Sequence, residues 1–143
     1  PLSYQQPINL SLQGIEIPII GYIDLRYPGE VRELKTSSRR RRSIIDDHAF
    51  QVSTYAMAIR QESGVWPSAV LDYICPTGME SFQLKNGNQW VQRVVDTANS
   101  IRSLLASAST EAELCQLVQP DFSKPLWRYR PNSRAAAKSL FEC

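Results

Sequence analysis

The chain has 143 residues, of which 43% are hydrophobic and 21% charged, so it suits one globular domain with a substantial core. This composition excludes disordered, collagen-like and disulfide-scaffold proteins. Sixteen basic residues against fourteen acidic ones give a net charge of +2, and without the consecutive arginines Arg39 to Arg42 the balance would be −2. The positive charge is therefore local, which favours a confined contact with an anion over a broad basic surface.

The cysteines and the apolar stretches indicate in which cellular compartment the protein is expected. Cys75, Cys115 and Cys143 are odd in number and widely spaced, which is typical of free thiols in a reducing compartment. No basic-then-apolar leader stands at the start, and the longest apolar stretch, residues 15–23, is too short to span a bilayer. We therefore expect an intracellular protein, cytoplasmic or nucleoid-associated, with no membrane contact.

Strands are predicted first along the chain, then a helix, two strands and further helices, all within one domain of residues 1–143. This order predicts an α/β or α+β fold in which helices flank a mixed central β-sheet. Trp90 and the apolar residues that follow it at helical spacing predict a helix packed on the core. Thr110 and Glu113 form a capping-box pattern. The predicted elements are strands within 8–36, helix 46–62, strands within 68–84, and helices 89–107, 110–118 and 133–142.

The segment around Pro28-Gly29 predicts a β-hairpin, because proline presets φ and glycine accepts the positive φ that follows. Loops of two and of four residues give the same register, in which Asp24 lies opposite Glu33, Tyr22 opposite Lys35, and Ile23 opposite Leu34. Ile23 and Leu34 would then point to one side with Ile17, Ile19 and Leu25. Directly opposed side chains lie about 4.5–5.5 Å apart at Cβ, and two like charges there are destabilising.

A divalent cation between Asp24 and Glu33 would explain their approach, because Mg²⁺ and Mn²⁺ prefer carboxylate oxygens, waters and phosphate oxygens. Lys35 projects from the same face, where its ammonium could orient a water or offset charge on a phosphate. The alternative is a solvated hairpin face with a slightly different register, in which the carboxylates do not meet.

Three short motifs follow one another in this region. They are Gly21-Tyr22-Ile23-Asp24, Glu33-Leu34-Lys35-Thr36 and Gln51-Val52-Ser53-Thr54-Tyr55. Their order and gaps resemble the G-x-x-D, E-x-K and Q-x-x-x-Y series of RecB-type nucleases in the PD-(D/E)XK superfamily. The resemblance implies a restriction-endonuclease-like core and a metal-dependent DNA nuclease, more plausibly an exonuclease, of the kind used in DNA repair and recombination.

The same resemblance implies the roles of the site residues. Asp24, Glu33 and the backbone carbonyl of Leu34 would bind Mg²⁺ or Mn²⁺, and Lys35 would be the catalytic lysine. Gln51 and Tyr55 would complete the catalytic site from the next helix and contact nucleic acid. Residues four apart share a helical face, so this pairing is geometrically allowed.

Two features of the family are not found in this chain. Such proteins usually carry a histidine or glutamate ligand on a helix before the first core strand, whereas here little precedes the strands and His48, the only histidine, lies downstream. His48 shares the helical face of Gln51 and Tyr55, but a surface position at the start of the helix is the simpler interpretation. We expect the core to lack that helix, which leaves open whether this chain alone is active. Three scattered cysteines predict no iron–sulfur cluster.

The expected partner is DNA, at linear ends or as single strands, with a larger recombination or repair assembly as a further possibility. Arg39, Arg40, Arg41 and Arg42 lie between the catalytic strand and the next helix, where they could bind phosphates; a solvated loop is the alternative. Two other functions remain open. One is a non-catalytic module that binds nucleic acid or a partner, and the other is an endonuclease or junction resolvase on the same scaffold.

Overall fold

A computed structural model describes residues 1–118 and 120–141 of the chain. It contains two compact units, Pro1–Asn99 and Ser100–Cys143. The prediction of a single nuclease-like domain stays a prediction. Within the described residues, no helix combines the length and the apolar character that crossing a membrane requires.

A five-stranded mixed sheet forms the first unit, with the strands in chain order. The first three strands and the last pair are antiparallel, while β3 and β4 are parallel neighbours. The parallel step needs a crossover, which the helix between these strands supplies. This is the predicted mixed α+β class, and the structure confirms it. The strands are β1 (Ser3–Leu10), β2 (Ile19–Tyr27), β3 (Glu30–Thr36), β4 (Ser68–Cys75) and β5 (Gly78–Gln83).

Helix α1 (Asp46–Ser63) packs on one face of this sheet and supplies much of the core. It ends at Gly64, whose φ of 77° is the left-handed conformation that commonly closes a helix. Helix α2 (Gly87–Ala106) adds Val94, which is buried in the same core. The residues buried most completely are Ile23, Val31, Val52, Leu71 and Tyr73, so the core lies between α1 and the centre of the sheet.

The predicted hairpin register is correct next to the turn, where Leu25 pairs with Arg32 and Tyr27 with Glu30. The β2–β3 ladder ends there, however, so Asp24 and Glu33 are not a ladder pair. The β1–β2 ladder is also interrupted at Asp24, opposite Gln5, whose φ of 45° lies in the left-handed region. The pleat is therefore irregular at Asp24 on both sides of β2.

This irregularity changes which side chains share a face. Ile23 packs in the core below α1, and three residues later Arg26 also reaches α1, where it pairs with Glu62. Regular alternation would place residues three apart on opposite faces. The prediction that Ile23 and Glu33 point to opposite sides is therefore wrong, because the alternation slips between Ile23 and Arg26. Tyr22 also does not share the Glu33 face; it is exposed on the other side of β2.

The strands and helices differ from the predicted bounds mainly at the start of the chain. β1 begins at Ser3, five residues before the predicted strand, because the polar Ser3-Tyr4-Gln5-Gln6 segment pairs with β2 without an apolar pattern. The predicted helix 133–142 begins earlier, at Pro131, and its last residue lies outside the described residues.

The second unit contains the end of α2, then α3 (Glu111–Leu117), a 3₁₀ turn (Pro125–Tyr129) and α4 (Pro131–Phe141). The predicted N-cap is present, since the Thr110 side chain accepts the backbone N–H of Glu113. The Glu113 carboxylate accepts the N–H of Ser109, one residue before the N-cap, so the return bond is displaced from that of a standard capping box. Phe122 packs on Trp127 with ring centroids 5.1 Å apart.

Candidate active site

Glu33 is the central side chain of the candidate site. It projects from β3 toward α1, between Val31 and Lys35 on the same face, and only 4% of it is exposed. One carboxylate oxygen, Oε1, accepts a hydrogen bond of 2.6 Å from Lys35 Nζ. The other oxygen, Oε2, is buried and has no hydrogen-bond partner among the described residues. A buried carboxylate oxygen without a hydrogen-bond partner lowers the stability of the folded protein, so Glu33 is an unusual residue to find buried between a sheet and a helix.

Asp24 lies beside Glu33. Its Oδ2 accepts the backbone N–H of Leu34 at 2.9 Å, and its Oδ1 accepts Gln5 Nε2 at 2.6 Å. The carboxylate therefore bonds the β3 main chain at the point where the β2–β3 ladder has ended. Burial raises the pKa of Glu33 to about 6, the hydrogen bond from Lys35 opposes this shift, and the negative charge of Asp24 adds to it. The two acidic groups thus meet, as the sequence predicts, through a bend in β2 and not through a ladder pair.

Gln51 and Tyr55 approach the same place from α1. Gln51 Nε2 donates to the Tyr55 hydroxyl at 2.7 Å, as their four-residue spacing allows. Burial raises the pKa of Tyr55, the hydrogen bond from Gln51 lowers it, and the charges of Glu33 and Asp24 raise it further. The phenol therefore lies within electrostatic range of the two carboxylates. Since its oxygen already accepts from Gln51, its own O–H remains available to donate.

Gly21 lies next to the Tyr55 ring. A Cβ atom at position 21 would lie 3.4 Å from Cε1 of that ring, which is van der Waals contact. A side chain larger than alanine at the glycine of the G-x-x-D motif would therefore press on the tyrosine of the Q-x-x-x-Y motif.

Lys35 lies near the end of β3, beside two residues that none of the three sequence motifs includes. Tyr73 is its cross-strand neighbour on β4, and the Tyr73 hydroxyl contacts His48 Nδ1 at 2.9 Å. Burial lowers the pKa of His48, and the charge of Lys35 lowers it further. His48 is half-buried and adjoins the site, so the simple surface position that the sequence favours is not observed.

The four arginines do not act as one group. Arg40 pairs with Glu80 on β5 at 3.2 Å, and Arg41 Nε donates to Ser37 Oγ at 3.2 Å. The positive charge of Arg41 also lowers the pKa of His48, but less than burial and Lys35 do. Arg39 and Arg42 are exposed.

The oxygen atoms at this place supply some, but not all, of the ligands that a hard divalent cation needs. Asp24 and Glu33 supply two adjacent carboxylates, and the buried Oε2 atom of Glu33 has an unused lone pair for a cation. Within residues 1–118 and 120–141, however, no three histidine, cysteine, aspartate or glutamate side chains form a cluster suited to a metal ion. A cation here would therefore need main-chain, water or substrate oxygens as well, which is how Mg²⁺ is commonly bound.

Gln5 is a site residue that could not be identified from the sequence. Its amide donates to Asp24, and its positive φ marks a local distortion of β1. No motif includes it, because its position depends on pairing with β2. Cys75 and Cys115 are free thiols, and Cys143 lies outside the described residues.

Comparisons with known proteins find similarity only among solved structures. No family model matches the chain, and no curated protein matches it. The fold is similar to the crystal structure of a putative exonuclease from Eubacterium rectale, with a TM-score of 0.60, 13% identity, and coverage of 90% of this chain and 52% of that chain. The structure of SSO0001 matches with a TM-score of 0.46 and 17% identity over 80% of this chain and 56% of that chain. This chain therefore spans about half the length of both, and the first match shows a nuclease-like fold.

Proposed function

We propose that this chain carries a divalent-cation-dependent nuclease site of RecB type that hydrolyses phosphodiester bonds in DNA, acting as an exonuclease. The observation that carries the proposal is the buried Glu33 carboxylate, which lies beside Asp24, is bonded to Lys35 and keeps one oxygen without a partner. Strongly perturbed acidic groups beside a lysine are typical of functional sites. The name of the Eubacterium rectale protein supports the choice of an exonuclease.

Asp24, Glu33 and the backbone carbonyl of Leu34 would hold the cation. When bound, Mg²⁺ or Mn²⁺ would polarise the phosphate and lower the pKa of a bound water. Glu33 would remain ionised near neutral pH, since its pKa is about 6 even without a cation.

Lys35 would stabilise the reacting phosphate. Its ammonium is held by Glu33 Oε1 at 2.6 Å, and about a quarter of the side chain is exposed, so it can reach a phosphate oxygen or a water. There it offsets the negative charge that grows on the phosphate during attack. Gln51 fixes the Tyr55 hydroxyl, which can donate to a phosphate oxygen or to a site carboxylate.

The substrate would be DNA with free ends or single strands, and the chain would act within a recombination or repair assembly. Arg39, Arg41 and Arg42 would contribute to phosphate binding, and Arg40 least, since it already pairs with Glu80.

A second function is a non-catalytic module that binds nucleic acid. The observation that favours it is that the described residues offer two clustered carboxylates and not three. Such a module would bind DNA with an affinity that falls with salt, and it would release no nucleotides.

A nuclease assay tests the proposal. Purified protein is incubated with linear and with circular DNA in Mg²⁺, Mn²⁺ or chelator, and acid-soluble nucleotides are measured. We expect metal-dependent release from linear DNA only, and no release by Lys35→Ala. Lys85→Ala, which changes an exposed lysine outside the site, is the matched control and should behave as wild type. Cleavage of circular DNA would instead support an endonuclease or junction resolvase, and binding without cleavage would support the non-catalytic module.

A further inference from the structure

His48 is fixed at the edge of the candidate site by an unusual set of contacts. Its Nδ1 lies 2.9 Å from the hydroxyl of Tyr73, and the same hydroxyl accepts the backbone N–H of Ile45 at 3.1 Å. Tyr73 is 1% exposed, so its hydroxyl hydrogen needs a partner within the protein. Because the backbone N–H already donates to the oxygen, the phenol hydrogen is best placed on His48 Nδ1.

This arrangement sets the protonation state of the imidazole. If Nδ1 accepts from Tyr73, the ring proton must be on Nε2, and the histidine is neutral. Protonation of Nδ1 would leave the buried Tyr73 hydroxyl hydrogen without an acceptor. The neighbouring charges act in the same direction: Lys35 and Arg41 disfavour an imidazolium, and only Asp47 favours one.

The position of the His48 imidazole follows from the register of β3 and β4 and from the face of α1 on which His48 lies. Lys35 and Tyr73 are neighbours on β3 and β4, so the histidine above Tyr73 lies beside Lys35. His48, Gln51 and Tyr55 follow one another at helical spacing along α1. Since α1 runs back over β3, Tyr55 lies near Glu33 while His48 lies near Lys35. In keeping with this, the charge of Glu33 raises the pKa of Tyr55 and the charge of Lys35 lowers that of His48.

We propose that His48 is a substrate-positioning residue, whose neutral Nε2–H donates to a phosphate oxygen of the bound nucleic acid on the Lys35 side of the site. This inference rests on the proposed function, because it assumes that a phosphodiester occupies the site. A neutral hydrogen-bond donor would orient the phosphate that Lys35 and Arg41 attract, and it would not repel these two cations.

Two substitutions separate this role from a purely structural one. In His48→Asn the amide oxygen can take the place of Nδ1 and accept from Tyr73, but the distal donor is lost. In His48→Gln the longer side chain can place an N–H near the position of Nε2, while the partner of Tyr73 is lost. A structural role predicts that the Asn variant is the milder change, whereas substrate positioning predicts that the Gln variant retains more function.

The test measures affinity for a fluorescent single-stranded oligonucleotide in chelator, together with melting temperature and nucleotide release in Mn²⁺. We expect His48→Asn to melt close to wild type, to bind about tenfold more weakly, and to cleave correspondingly less at limiting DNA. His48→Gln should melt at a lower temperature but bind within about twofold of wild type. The slope of log affinity against log salt should be unchanged in both, since no charge is removed.

Each outcome decides one question. Wild-type affinity in His48→Asn, or a greater loss of affinity in His48→Gln, would overturn the positioning role, and so would a reduced salt slope in either variant. If wild-type protein binds the oligonucleotide without cleaving it and the Asn variant binds more weakly, the role of His48 stands while the nuclease proposal fails. If wild-type protein does not bind DNA, the role of His48 is overturned as well.

Discussion

Glu33 offers the most informative perturbation, because its burial predicts a stability cost of measurable size. The ordinary pKa of 4.5 rises to about 6 in the folded protein, and this corresponds to about 2 kcal/mol of lost stability once the group is ionised in both states. Glu33→Gln removes that net cost, in which the opposing hydrogen bond and charge of Lys35 are already included. We therefore expect the variant to be about 1–2 kcal/mol more stable than wild type at about pH 8, in chelator.

The raised pKa of Glu33 also determines how stability changes with pH. Between pH 4.5 and about 6 the folded state binds more protons at Glu33 than the unfolded state does, so this group makes wild-type stability fall as the pH rises through that window. Below that window Glu33 is protonated in both states, and the advantage of Glu33→Gln should disappear at about pH 4. Urea denaturation of both proteins at several pH values isolates the Glu33 contribution as a difference.

A control and a metal titration complete this experiment. Glu30→Gln changes an acid on the same strand that faces Arg32 instead of the site, so it should leave the pH profile and the metal response as in wild type. Added Mg²⁺ should stabilise wild type and not Glu33→Gln. Lower stability of Glu33→Gln than of wild type at about pH 8 would refute the reasoning. A difference in the free energy of unfolding between the two proteins that did not change with pH would refute it as well.

Three further predictions follow from the site. Asp24→Ala should abolish metal-dependent cleavage, since it removes one of two clustered carboxylates; undiminished activity of the folded variant would place the site elsewhere. Changing the four arginines to glutamine should weaken DNA binding more than the chemical step; an unchanged salt slope would assign them to a solvated loop. Gly21→Val should cost about 1–3 kcal/mol by forcing Tyr55 off the sheet, measured by urea denaturation, and a neutral effect would show that Tyr55 can shift freely.

The sequence allowed the fold class and the hairpin register to be predicted, for physical reasons that are local. Pro28-Gly29 determines the turn, and the turn determines that Leu25 lies opposite Arg32. The bend at Asp24 could not be predicted in the same way, because it depends on Gln5 in another strand. The distortion of Gln5 has no signature in a single sequence.

The helices show the same division between local and tertiary information. The apolar stripe of α2 predicts one continuous packed face, yet only Val94 is buried, with Val91 and Val95 packed against the core, while Ile101 is 54% exposed. Periodicity indicates that a face is apolar but not what covers it. The position of His48 also required the structure, because its partner Tyr73 lies 25 residues away on β4.

Cation binding tests the central claim most directly, because it depends on neither the substrate nor the rate of cleavage. Mn²⁺ is titrated into wild type, Asp24→Ala, Glu33→Gln and the control Glu30→Gln, and binding is followed by the paramagnetic signal of the free ion. We predict saturable binding to wild type and Glu30→Gln, and its loss in the two site variants. Equal Mn²⁺ binding by all four proteins would contradict the claim that Asp24 and Glu33 form the metal site.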